Sequence, residues 1–202
     1  MLVSAPPAAA QQEPVTVVLL RTATGRGTYH YAEFIHERGK IVPFDLGYID
    51  FDDPSDYREM WLGGGVVAID RPLLRLTVEG FVLGAFGEQA RGAVYFQPFF
   101  LANSRLTPRI GAEAVYFPYV PLNESGHSQH VLERAKVEYS FAHLKVGGGY
   151  GAYRAPDATW NHKPFVTATL QAGALGNFEI WLQRLSGGHA SVQVRYVKVV
   201  VH

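Results

Sequence analysis

The sequence predicts an all-β fold: an antiparallel up-and-down transmembrane β-barrel of about twelve strands, with eight or ten as the alternatives. Three observations predict it. Apolar and polar residues alternate with period two from Val15 nearly to the end of the chain, the signature of strands with two unlike faces. Chain breakers divide that stretch into runs of about ten residues, the length a tilted strand needs to cross a membrane. The connectors between runs alternate between short and long, as when one rim of a barrel carries tight turns and the other carries loops.

Residues 1–14 form a signal-like or disordered N-terminal segment, because Ala8-Ala9-Ala10 before Gln11 resembles a signal-peptidase site. Residues 15–202 form a single barrel domain. The expected strands are 15–22, 28–36, 41–50, 59–69, 73–86, 92–102, 108–119, 130–140, 144–154, 163–173, 177–186 and 190–201. In the fifth, Leu74, Leu76 and Val78 share one face, and Arg75, Thr77 and Glu79 share the other. In the eighth, Val131, Glu133, Ala135, Val137, Tyr139 and Phe141 alternate with Leu132, Arg134, Lys136, Glu138 and Ser140. The tenth sets Val166, Ala168 and Leu170 against Thr167, Thr169 and Gln171, and the last sets Val192, Val194 and Tyr196 against Gln193 and Arg195. The short connectors are 174–176, 140–143, 103–107, 70–72 and 37–40. The longer ones are 155–161, 120–129, 87–91 and 51–57, and the longest, 120–129, is the expected place for a partner contact. Two connectors, 24–27 and 187–189, are short on the long side.

Aromatic residues gather near strand ends: Tyr116, Phe117 and Tyr119; Tyr29 and Tyr31; Tyr153 and Trp160; Phe44 and Tyr48. Such rings prefer a membrane interface, so they are expected to form a girdle. A soluble sandwich would not keep Arg134, Lys136 and Glu138 on one inner face. From about Val15 onward, this pattern resembles the bacterial outer-membrane β-barrels. The resemblance implies an outer-membrane location, contact with lipid and lipopolysaccharide, and other envelope proteins as candidate partners. One departure is the last residue, His202, where that family usually carries an aromatic one.

Composition excludes several classes. Eighteen Lys and Arg balance eighteen Asp and Glu, which argues against nucleic acid as a partner. Cysteine is absent, which removes thiolate metal sites and disulfides. Gly63-Gly64-Gly65 and Gly147-Gly148-Gly149 lack the Lys-Ser or Lys-Thr of a phosphate loop. Strand glycines mark bends or leave room for an inward aromatic.

The residues expected to line the lumen are Arg75, Glu79, Glu113, Arg134, Lys136, Glu138, Gln171, Gln183 and Arg195. Charges of both signs in a narrow barrel pair with one another and fill it, or leave a narrow selective path. The expected role is therefore structural, complex-docking or a narrow channel, with no catalytic residue, metal or cofactor.

Two alternatives stand beside this reading. The segment Trp181 to Gly188 resembles the neighbourhood of the His-x-Ser-Asn motif of lipid A deacylase barrels. Only Ser186 matches, with Arg184 at the position of the base and Gly187 at that of the Asn, so the resemblance implies an inactive relative. His189 and Ser191 share a strand face but have no acid partner. The other alternative is a soluble periplasmic ligand-binding barrel, which would turn its apolar face inward. His127 and His130 read as loop histidines, His162 as a loop or interface residue, and Asp52, Asp53, Asp56 and Glu59 as a solvated acidic loop.

Overall fold

The structure, a computed structural model, describes residues 13–25, 28–52, 56–185 and 188–202. The signal-like segment therefore lies outside the described residues, apart from Glu13 and Pro14. Twelve strands follow in order: β1 (Val15–Thr24), β2 (Tyr29–Arg38), β3 (Ile41–Phe51), β4 (Arg58–Arg71), β5 (Leu74–Phe86), β6 (Val94–Arg105), β7 (Ile110–Pro121), β8 (Gln129–Ser140), β9 (Leu144–Arg154), β10 (Asn161–Gln171), β11 (Asn177–Arg184) and β12 (Ala190–Val201). Each pairs antiparallel with its sequence neighbours, and β1 closes on β12 with Val15 opposite Val201. Closure leaves no strand edge with unpaired amides, which is what a spanning sheet requires in lipid. The tenth strand starts and ends about two residues earlier than expected, because a short 3-10 turn at Gly173–Leu175 takes over the chain.

Alternation decides what faces out. Leu46, Leu62 and Val82 sit opposite one another on β3, β4 and β5 and are exposed. Val166 on β10 and Leu182 on β11 are likewise opposite and exposed. The apolar band is on the outside, the reverse of a soluble ligand-binding barrel. Aromatic side chains border it near both ends, with Tyr48, Phe86, Phe96 and Trp160 toward one rim and Phe44, Tyr139, Phe141 and Phe178 toward the other.

Several rings expected in that girdle turn inward instead. Tyr29, Tyr31, Phe117, Tyr119 and Tyr153 line internal cavities. Their alternation phase places them on the same side as the lumen charges, so proximity to a strand end did not decide their direction. The inner wall of β4 to β6 is an aromatic and aliphatic cluster around Trp61, Phe81, Leu83 and Tyr95. Glycines make room for it: a Cβ on Gly63 would strike the Phe81 ring, and one on Gly149 would strike Phe165. This is the inward-aromatic use expected of the glycine runs.

Candidate functional site

One wall of the interior is built around β8. Between Leu132 and Ala135 this strand carries an irregularity against β9, and against β7 its register skips Glu133. Such a bulge re-aims side chains. Glu133 therefore joins Arg134 inside, although strict alternation placed it on the outer face. Glu133 then bonds both Arg21 of β1 and Arg134, and Arg134 also bonds Glu113 of β7.

The network continues along the wall. Lys136 lies 2.6 Å from Glu179, 3.2 Å from Glu138 and 3.8 Å from Glu113. Arg195 lies 3.3 Å from Glu179. Thr167 and Thr169 donate hydroxyl hydrogen bonds to Glu179 and Glu138, at 3.1 Å and 3.2 Å. Gln193 donates to Gln183 at 3.2 Å. Burying so many charges is tolerable because each cation holds at least one carboxylate. Phe165 and Trp181 stack beside them with ring centroids 4.2 Å apart.

The opposite wall, on β2 to β5, differs. Glu33, Asp45 and Glu79 are buried, and none of them takes part in an ion pair among the described residues. Neither carboxylate oxygen of Asp45 meets a hydrogen-bond partner, and Oε2 of Glu79 meets none.

Cavities run between these walls. A cup of about 1110 Å³ opens at the long-loop rim, lined by Phe51, Tyr57, Tyr95, Tyr119, Tyr153 and Lys163 among others. A chamber of about 270 Å³ lies below it, where Glu33 and Glu79 face Arg21, Arg134 and Arg195. A pocket of about 320 Å³ at the short-turn rim includes Arg75, Asn103, Glu113, Glu138 and Lys145. Ile49, Glu59 and Tyr119 line both cup and chamber, and Glu113 lines both chamber and lower pocket. Glu59 accepts hydrogen bonds from Tyr57 and, at 3.1 Å, from Tyr119. Burial, with the Glu59 charge beside it, pushes the Tyr57 hydroxyl above its ordinary value, so it remains a donor at neutral pH.

Of the residues expected in the lumen, Glu79, Arg134, Lys136 and Gln183 are buried. Glu113, Glu138 and Arg195 belong to the ion-pair wall. Arg75 pairs with Glu37 near the short-turn rim. Gln171 ends β10, half-buried, its backbone N–H donating to the His143 carbonyl at 2.8 Å.

The residues that sequence reasoning missed are Arg21, Glu33, Asp45, Glu133 and Glu179. For Arg21, Glu33 and Glu179 the signal was present, a charge within an apolar run. For Glu133 it was not, because the bulge inverts its phase.

The acidic loop does not converge. Asp52 pairs with His30 at 3.0 Å, Asp56 with Arg58, Glu59 turns inside, and Asp53 lies outside the described residues. His127 lines the cup, His130 bonds Tyr116 at 2.8 Å, and His162 bonds Tyr150. Ser186 and Gly187 lie outside the described residues, and the Ser191 hydroxyl donates to the Thr24 carbonyl at 2.6 Å.

No protein-family model matches the sequence, and a comparison with curated proteins found no match. Solved structures share the fold. The chain is similar to the KdgM porin (8% identity, TM-score 0.69, covering 92% of this chain and 99% of that one). That porin is also known in complex with disordered oligogalacturonate (10% identity, TM-score 0.68, 92% and 99%). The NanC porin (10%, 0.61, 93% and 99%) and an outer membrane channel from Pseudomonas putida F1 (10%, 0.61, 97% and 99%) are similar at comparable length. With its closed sheet and outward apolar band, the chain is by fold a β-barrel of the bacterial outer-membrane type.

Proposed function

We propose that the protein sits in the bacterial outer membrane, in contact with lipid and lipopolysaccharide, and acts there as a narrow channel for small polar solutes. The observation that carries this reading is the succession of cup, chamber and lower pocket from one rim to the other, neighbouring cavities that share the lining residues Ile49, Glu59, Tyr119 and Glu113. Small barrels leave little interior space, so the chamber sets the size limit. The charged side chains that line the chamber among aromatic and aliphatic ones suit a polar solute, and the ion pairs hold the wall of β8 in place. The fold shared with porins and an outer membrane channel supports the same reading. Planar-bilayer recording of the purified, folded protein tests it. Discrete conductance steps, smaller than those of a wide general porin, are expected. A folded, inserted barrel that conducts no ions would overturn the proposal in favour of a plugged structural barrel.

A further inference from the structure

The two walls of the middle chamber are unequal in one respect that bears on what passes. Six carboxylates line the chamber, on Glu33, Glu37, Glu59, Glu79, Glu113 and Glu133, against three guanidiniums, on Arg21, Arg134 and Arg195. Each guanidinium already holds a carboxylate: Arg21 and Arg134 hold Glu133, and Arg195 holds Glu179. An entering anion meets no uncommitted cation there. Across the chamber, Glu79 is only 5% exposed, yet its Oε2 has no hydrogen-bond partner. Glu33 lines the chamber beside it, and Asp45, 1% exposed and set behind the lining, lies close to Glu33, Glu79 and Trp61. A buried carboxylate left without a partner is costly, and the cost is relieved when a solute supplies a positive charge and donors. Trp61, Phe81 and Phe99 line the same chamber, and aromatic faces attract organic cations. No group of three or more acidic or histidine side chains among the described residues has the geometry of a metal site, so the chemistry fits an ammonium or guanidinium group better than a bare divalent ion.

We infer that the constriction selects cations over anions, with Glu79 and Glu33 as its selectivity wall, Asp45 behind them, and small organic ammonium or guanidinium compounds as its solutes. The inference rests on the channel reading. In a narrow cleft with low-dielectric walls, a surplus of one sign focuses the field and concentrates the opposite ion. Arg91 and Lys163 at the cup, and Arg71, Arg75, Arg105 and Lys145 at the lower pocket, lie at the two mouths and outside the chamber.

Reversal potentials in planar bilayers across an asymmetric KCl gradient test this, followed by replacement of K⁺ with ethylammonium and of Cl⁻ with propionate. The wild type is expected to reverse on the cation side, and to carry ethylammonium but little propionate. The triple variant Glu33→Gln/Asp45→Asn/Glu79→Gln is expected to shift toward zero. Glu79→Gln alone, nearly isosteric, is expected to shift less in the same direction, and it serves if the triple variant fails to show the gel mobility of a closed barrel. A wild-type current with no preference or an anion preference overturns the inference and leaves the channel standing. A cation preference that Glu79→Gln and the triple variant retain overturns the assignment to this wall. Absence of any current overturns the channel reading itself.

Discussion

At the scale of single residues, Glu133 has the largest structural consequence. Among the described residues it is the one carboxylate bonded to Arg21, and it shares Arg134 with Glu113. Through Arg21 it ties β8 to β1, which is distant in sequence and lies across the barrel, so the pairings fix the barrel's cross-section as well as neutralising charge. Removing one partner of a buried pair leaves the other charge uncompensated, at a cost of about 3–5 kcal/mol. Glu133→Gln is therefore expected to lower folding stability by about that amount in urea titrations in detergent micelles. A loss within measurement error would show that water, rather than Glu133, satisfies Arg21. Alternation alone could not reveal Glu133, since the bulge that turns it inward is a backbone event with no composition of its own.

At the scale of elements, most of the fold was legible because a strand in a barrel advertises its two faces. Leu74-Arg75-Leu76-Thr77-Val78-Glu79 shows aliphatic side chains out and polar ones in, as its alternation requires. Ten-residue runs between breakers located all twelve strands, with small shifts at the ends. What was not legible came from signals that carry no phase. Tyr31 and Tyr119 lie near strand ends, as girdle residues do, yet they point inward. Strand position and ring type agree with both outcomes, and only the phase separates them. The lipid-facing surface is testable at this scale. Leu46, at the midpoint of β3, lies opposite Leu62, which lies opposite Val82. A charge there meets hydrocarbon, so Leu62→Arg is expected to cost about 2–4 kcal/mol, measured as a lowered urea midpoint of the barrel refolded into lipid vesicles. An unchanged midpoint would remove Leu62 from the membrane-buried face.

At the scale of the whole molecule, closure of β1 on β12 and the inside-out distribution of polarity act together. Closure pairs each strand with a neighbour on both sides, and the outward band satisfies the lipid. The interior is then left as the place where polar chemistry is allowed, and its two walls divide into a neutralised ion-pair face and an acidic face over aromatic packing. That division was invisible in the overall charge, which is zero, because it depends on which carboxylates find a cation after folding. The central claim, that this interior is a water-accessible path through a membrane-spanning barrel, can be tested with one introduced thiol, since the chain has no cysteine. Thr77 lines the chamber and is buried, whereas Val82 on the same strand faces outward. Paired measurements on Thr77→Cys and Val82→Cys in vesicles, using a small charged thiol reagent, give the most direct answer. The account predicts that Thr77→Cys is labelled and its conductance falls on labelling, while Val82→Cys stays unlabelled. Labelling at Val82→Cys with none at Thr77→Cys would contradict it.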